Sequence, residues 1–321
     1  MNQEARKDFA QFLLSEDTQD VCFACHVSPD GDSVGSAVAL AMLLRARGRR
    51  AFIHLPEALP CTLAFLFETF DNTAFDPKMV VAVDVSTPER LGKGFPYADR
   101  VAAVLDHHMA NSFDVEHKWV EEEAAATGLL VAALYDEVGE PISADAARAL
   151  YTAVSTDTGR FCHANTTEDV LATAARLTAC VPEGNFEALN RRLFIEKDAA
   201  RLRLEGYVLT HAVLSDAPRC VYFLLTKKLR KKLGITPDAD LGSLVDVLRT
   251  FAGYPICILA KESEKGVYKL SVRSQEPVSA NAFCRVFGGG GHERAAGATV
   301  RAKNAFALKK AVFAALADLK Q

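Results

Sequence analysis

The sequence predicts an α/β protein in two parts: an N-terminal domain built on a parallel sheet, joined by a helical linker to a smaller α/β C-terminal domain. Three observations carry that reading. Short apolar runs of strand type alternate with helix-patterned segments through the first half, as in parallel strands buried on both faces. A charged amphipathic stretch, FEALNRRLFIEKDAARLRLEGYVLT, then spans 186–210 with helical spacing. Beyond it, strand-like runs resume and lead to a glycine cluster and an alanine-rich terminal helix.

In chain order, VCFACHV (21–27) reads as a buried strand and SVGSAVALAMLLRARG (33–48) as a helix, with Gly48 at its C-terminal cap. RAFIHL (50–55), MVVAVDVS (79–86) and RVAAVLDHH (100–108) are further strands. ATGLLVAALYDEVG (126–139) and SADAARALYTAVS (143–155) are helices that cover them. After the charged helix come RCVYFLLT (219–226), YPICILAKES (254–263) and VYKLSVRSQ (267–275), all of strand type. The expected boundaries are 1–190 for the first domain, 191–211 for the helical linker and 212–321 for the second domain.

Composition narrows the classes. With 321 residues and half of them hydrophobic, the chain is long enough for two cores and too apolar to be disordered. No apolar run approaches the ~18–20 residues of a membrane span, and MNQEARKDFAQFL is unlike a secretory signal. A cytoplasmic location is the expectation. The eight cysteines are scattered, and the one CxxC, Cys22 and Cys25, lies in a strand with no second pair to complete a zinc site. Both read as buried structural thiols. A net charge of −4 argues against a general grip on long duplex nucleic acid. The basic run TKKLRKKLG (226–234) reads mainly as the solvated face of a short helix, with a phosphate-rich ligand as the alternative.

The chemistry gathers at strand ends. HVSPDGDSVGS (26–36) sets His26, Asp30 and Asp32 just past the first strand. Asp84 follows the third strand-like run, and Asp106, His107 and His108 follow the fourth. In an open parallel sheet, ligands bind beyond the carboxyl ends of the strands, so these groups converge on one edge. Asp157, in STDTGRF, adds a carboxylate from a loop after an apolar helix. Clustered carboxylates repel unless cations neutralise them. Two divalent ions do so, a bridging carboxylate holding them ~3.5–4 Å apart. Mixed carboxylate and imidazole donors favour manganese, with magnesium second. His54, His117, His163 and His211 match no such pattern and read as surface or satisfied core residues.

These motifs together resemble the DHH phosphoesterase superfamily. HVSPDGDSVGS is similar to its first motif, VAVDVS to its second, LDHH to its third and STDTGRF to its fourth. FGGGGHERAAG (287–297) resembles the signature of the companion DHH-associated substrate-binding domain, and the length is similar to the NrnA-like branch. The resemblance implies one ion held by His26, Asp30 and Asp84, and another by Asp32, Asp84, His107 and Asp157. His108 then serves the substrate, holding a phosphate oxygen or assisting the leaving group, and Asp106 orients an imidazole. Which of the adjacent histidines ligates metal stays open at this level. In the second domain, Gly290, Gly291 and His292 lie in the family motif, with Arg273 and Arg294 as further substrate contacts. Arg294 equally reads as a surface charge.

The implied activity is metal-dependent hydrolysis of short RNA or DNA oligonucleotides such as pApA, and of 3′-phosphoadenosine 5′-phosphate. A cleft between the domains would limit substrate length. Cyclic di-AMP phosphodiesterase is the alternative within enzymes, and a nucleotide-binding regulator the alternative outside them. A homodimer is compatible with everything in the sequence.

Overall fold

The computed structural model describes residues 1–181, 186–235, 241 and 244–319, and the chain divides into two compact units, Met1–Glu196 and Lys197–Gln321. The first unit runs α1 (Gln3–Leu14), β1 (Val21–Ala24), α2 (Gly31–Ala46), β2 (Ala51–His54), β3 (Met79–Val83), β4 (Val101–Asp106) and β5 (His117–Val120). It continues with α3 (Thr127–Val138), α4 (Ala144–Asp157), α5 (Glu168–Ala179) and the short α6 (Phe186–Asn190). All neighbours in its sheet pair in parallel, in the order β2-β1-β3-β4-β5. The chain direction across the sheet therefore reverses between β1 and β3, which opens a crevice at their carboxyl ends.

Strand alternation divides the core. Val21 and Phe23 of β1 and Val81 and Val83 of β3 join the large cluster with α1 to α4. Cys22, Ala24, Val80 and Ala82 point the other way, into a smaller cluster closed by Phe75, Phe95 and Tyr97. Both faces are covered, but helices cover only one. Helix α2 is capped at its start by Asp30, whose side chain accepts from the Ser33 N–H, and is followed by Gly48 at φ +74°. It packs against α4 so closely that a Cβ on Gly35 would sit 2.4 Å from the Ala149 carbonyl oxygen. Strand β5 was not legible in HKWV, because only Trp119 is buried there.

Two sequence expectations change. The 186–210 stretch is not one helix: α6 passes into a π-turn, Arg191–Ile195, and Glu196 turns extended. A new helix, α7 (Ala199–His211), then starts where the Asp198 side chain caps the Arg201 N–H. A good N-cap inside an amphipathic pattern restarts the helix while the periodicity hides the break. Asp157 is the last residue of α4, not a loop residue. Thr156, just before it, turns its hydroxyl back onto the helix, to the Thr152 carbonyl, as Thr152 does to that of Arg148.

The second unit continues from α7 with β6 (Val213–Asp216), β7 (Arg219–Leu225), α8 (Lys227–Lys232), α9 (Leu244–Leu248), β8 (Ile256–Glu264) and β9 (Val267–Ser274). It ends with α10 (Ala280–Arg285), β10 (Gly290–Gly291), β11 (Ala295–Arg301) and α11 (Ala305–Asp318). Its six-stranded sheet has the order β10-β11-β9-β8-β7-β6, and only β7 and β8 pair in parallel. Tyr222, Ile258 and Val272 pack towards α10 and α11. Val221, Phe223 and Leu259 pack towards α7 and α9. The basic run forms α8, and all eight cysteines are free thiols, Cys22 and Cys25 being buried. No helix among the described residues is long and apolar enough to cross a membrane.

Candidate metal centre

The structure gathers His26, Asp30, Asp32, Asp84, His107, His108 and Asp157 into three overlapping groups of donors: His26 with Asp30 and Asp84, Asp32 with His107 and Asp157, and Asp84 with His107 and His108. Within each group the donor atoms lie within 4.8 Å of one another. The loops after β1, β3 and β4 deliver most of them, and the C-terminal end of α4 delivers Asp157. Asp84 leaves β3 at φ +61°, a left-handed conformation that aspartate tolerates better than most residues. Strain of this kind, of order 1–3 kcal/mol, persists when the surroundings over-determine it.

Three of the four carboxylates serve structure and site at once. Asp30 caps α2 with Oδ1 and turns Oδ2 to within 3.6 Å of His26 Nε2. Asp32 accepts the Thr127 and Gly128 N–H groups at 2.7 and 2.9 Å, serving as the N-cap that α3 lacks locally. Its Oδ2 also lies 3.6 Å from His107 Nε2. Asp84 points Oδ2 at His26 Nε2 (3.4 Å) and Oδ1 at His107 Nε2 (3.5 Å), while the Thr127 hydroxyl donates to Oδ1 at 3.0 Å. Asp157 Oδ2 is 3.4 Å from the same His107 nitrogen.

These separations are informative. Good N–H···O hydrogen bonds run ~2.7–3.2 Å. Two ligands ~2.1 Å from one ion stand roughly 3.0–3.4 Å apart. The imidazole–carboxylate distances of 3.4–3.6 Å resemble the second case. Meanwhile His26 Nδ1 donates to the Val27 carbonyl at 2.7 Å and His107 Nδ1 to that of Ala124 at 3.0 Å. Those bonds aim each Nε2 into the cluster, as a metal-binding imidazole requires. His108 differs: its Nδ1 is bonded to Asp106 at 2.8 Å, and Asp106 also accepts from the His107 N–H and from Asn111.

The electrostatics fit a cation. Burial drives the Asp32 carboxyl well above the usual range, and repulsion from Asp84 and Asp157 adds to it. Burial likewise lifts Asp157 to about 7. Burial opposes the charged form of His26, but the Asp30 and Asp84 carboxylates facing its Nε2 outweigh it and raise the ring to about 10. The hydrogen bond to Asp106 raises His108, and despite its burial Asp106 is held low by that partner. Buried thiols are raised too, Cys25 to about 12, which leaves them unsuited as ligands.

In the second unit, Gly290 and Gly291 form a short hairpin strand against β11, and the His292 N–H closes its turn on the Ala295 carbonyl. Close approach accounts for part of the cluster: a Cβ on Gly289 would meet the Gly297 carbonyl oxygen at 2.2 Å, and one on Gly291 that of Ala295 at 2.6 Å. Gly290 meets only Asn281, at 3.8 Å. Arg294 is engaged by the Val278 carbonyl and Glu276, and Arg273 by Asp246. Of the unmatched histidines, His117 stacks on Phe12, His211 on Tyr207, and the His163 ring lies where a Cβ on Gly159 would stand.

Thr127, Gly128 and Asn111 were invisible to sequence reasoning. For Thr127 and Gly128 the one signal is the ATG at the start of α3, a helix start without a capping side chain of its own; Asn111 has none.

Residues 20–154 match the DHH family, N-terminal domain, and residues 223–318 match the DHHA1 domain. The sequence is 32% identical over 286 residues to a bifunctional oligoribonuclease and PAP phosphatase NrnA of Thermus thermophilus, covering 88% of this chain and 84% of that one. It is 27% identical over 281 residues to the protein of the same name from Bacillus subtilis, covering 86% and 87%. Among solved structures, an exopolyphosphatase-related protein from Bacteroides fragilis superposes with a TM-score of 0.85 at 23% identity, over 98% of this chain and 96% of that one.

Proposed function

This chain belongs to the DHH family, and we propose that it is a phosphoesterase that hydrolyses short oligonucleotides to mononucleotides and removes phosphate from 3′-phosphoadenosine 5′-phosphate. Its relatives of closely similar length carry that pair of activities in their names. The single observation that carries the reading is the set of imidazole and carboxylate atoms held 3.4–3.6 Å apart around Asp84. We assign one divalent ion to His26, Asp30 and Asp84 and a second to Asp32, Asp84, His107 and Asp157, with manganese ahead of magnesium for these donors. When bound, such a pair supplies an acidified water and neutralises charge at the phosphorus centre.

The chain's own residues do the rest. Asp84 offers one oxygen to each side, which suits a bridging ligand. Asp106 holds His108 by Nδ1, so that ring is assigned to the substrate rather than to metal. The glycine turn with Gly290, Gly291 and His292 is assigned to the non-reacting part of the substrate, with Arg273 and Arg294, which pair with Asp246 and Glu276, as further contacts. The test is a side-by-side hydrolysis assay with manganese and a chelator control, on pApA, 3′-phosphoadenosine 5′-phosphate, cyclic di-AMP and a longer RNA. Chelator-sensitive cleavage of the first two is expected, with the cyclic compound spared. Preferential opening of cyclic di-AMP would reassign the substrate. Tight nucleotide binding without turnover would make the protein a regulator.

A further inference from the structure

Arg90 lies six residues past Asp84, on a short 3-10 turn, Pro88–Leu91, outside every residue assigned so far. The turn is fixed at its C-terminal end. Leu91 is buried, and the Arg90 carbonyl accepts the Val27 N–H at 2.7 Å, which ties it to the residue after His26. Its side chain is half-buried, and its charge acts on the His108 ring. Yet its Nε is buried with no hydrogen-bond partner, and no ion pair joins it to any described carboxylate, although several crowd the neighbouring cluster.

A buried guanidinium N–H without an acceptor is costly, and arginines near acidic clusters ordinarily pair with them. Here no described carboxylate pairs with this one, and the anchored turn holds its charge within range of the histidine assigned to the substrate. No described residue supplies the missing acceptor. Guanidinium matches the paired oxygens of a phosphoryl group in a planar fork, which an ammonium cannot reproduce. We propose that Arg90 binds the non-bridging oxygens of the phosphoryl group under attack, alongside His108. This deepens the phosphoesterase reading and rests on it. The competing account is a structural countercharge that offsets the carboxylate cluster.

The experiment uses the full-length, manganese-loaded protein with Arg90→Lys and Arg90→Ala. It measures KM for pApA, competitive inhibition by inorganic phosphate, and manganese affinity without substrate. Both variants are expected to weaken substrate and phosphate by about 10- to 100-fold, the worth of hydrogen bonds to a charged group. Manganese affinity is expected to stay unchanged, and added guanidinium to restore part of the activity of Arg90→Ala. Wild-type KM and phosphate inhibition in Arg90→Lys would overturn the proposal, since a countercharge needs only the charge. So would losses that follow weakened manganese binding and ignore guanidinium. A wild-type protein that neither hydrolyses phosphoesters nor binds phosphate would instead remove the functional reading beneath it.

Discussion

His107 and His108 are neighbours in sequence, and their surroundings give them different work. A backbone carbonyl holds His107 Nδ1 and leaves Nε2 facing three carboxylates, whereas a buried aspartate holds His108 Nδ1. His107→Ala is therefore expected to weaken metal binding in calorimetric titration. His108→Ala is expected to keep metal affinity and lower kcat by about 10²- to 10⁴-fold, the usual worth of a positioned acid or base. If His108→Ala instead loses metal, the two roles are reversed. Proton linkage supplies a second check. Metal must displace protons from groups that hold them, and Asp157 is raised to about 7 and His26 to about 10. Below about pH 7 both carry protons in the metal-free site, so apparent affinity falls as pH drops. Between about 7 and 10 only the His26 proton of these two remains to be displaced. Proton release measured in buffers of different ionisation heat is expected to be larger at pH 6 than at pH 8. Equal release at both would remove Asp157 from the linkage.

At the scale of elements, the site depends on how closely α2 approaches α4. Alanine at Gly35 would add roughly 0.5–1 kcal/mol of helix preference. Its Cβ would also enter the space of a backbone carbonyl 2.4 Å away, which has no rotamer to swing aside. Overpacking of that kind costs about 1–3 kcal/mol and wins. Gly35→Ala is expected to lower the thermal midpoint by several degrees, read by circular dichroism. An unchanged or raised midpoint would mean the helices separate freely. The elements also mark where sequence reading stopped. Buried strands such as MVVAV and VCFA announce themselves by unbroken apolarity. β5 carries one buried residue and polar neighbours, so its pattern is that of a loop. The charged stretch at 186–210 keeps helical spacing through a break that only the Asp198 cap and the extended Glu196 reveal.

Over the whole molecule, two sets of cores divide the stability. The clusters under the five-stranded sheet belong to the first unit and those under the six-stranded sheet to the second. Metal that binds only the first unit's folded state stabilises it by RT ln(1 + [L]/Kd), about 2.7 kcal/mol at a hundredfold excess over Kd. Scanning calorimetry with and without manganese is expected to move the transition of the first unit upward and leave that of the second in place. A shift of both by the same amount would show that the units unfold as one. Asp84→Asn is expected to abolish the manganese-induced shift, because the same residue faces both halves of the donor set.

What the sequence determined by itself was the class of fold and the kind of chemistry. Apolar runs of strand length are local signals, and histidines and aspartates at their ends need no partner to be recognised. The tertiary structure decided everything that depends on residues far apart in the chain. Asp32 caps a helix that begins at Thr127, and Arg90 is anchored to the residue beside His26. The rotation of His107 is set by a carbonyl seventeen residues away. Periodicity reports which face of an element is buried; it carries no record of which distant group meets it there, and that meeting is what aims a nitrogen or leaves a guanidinium without an acceptor.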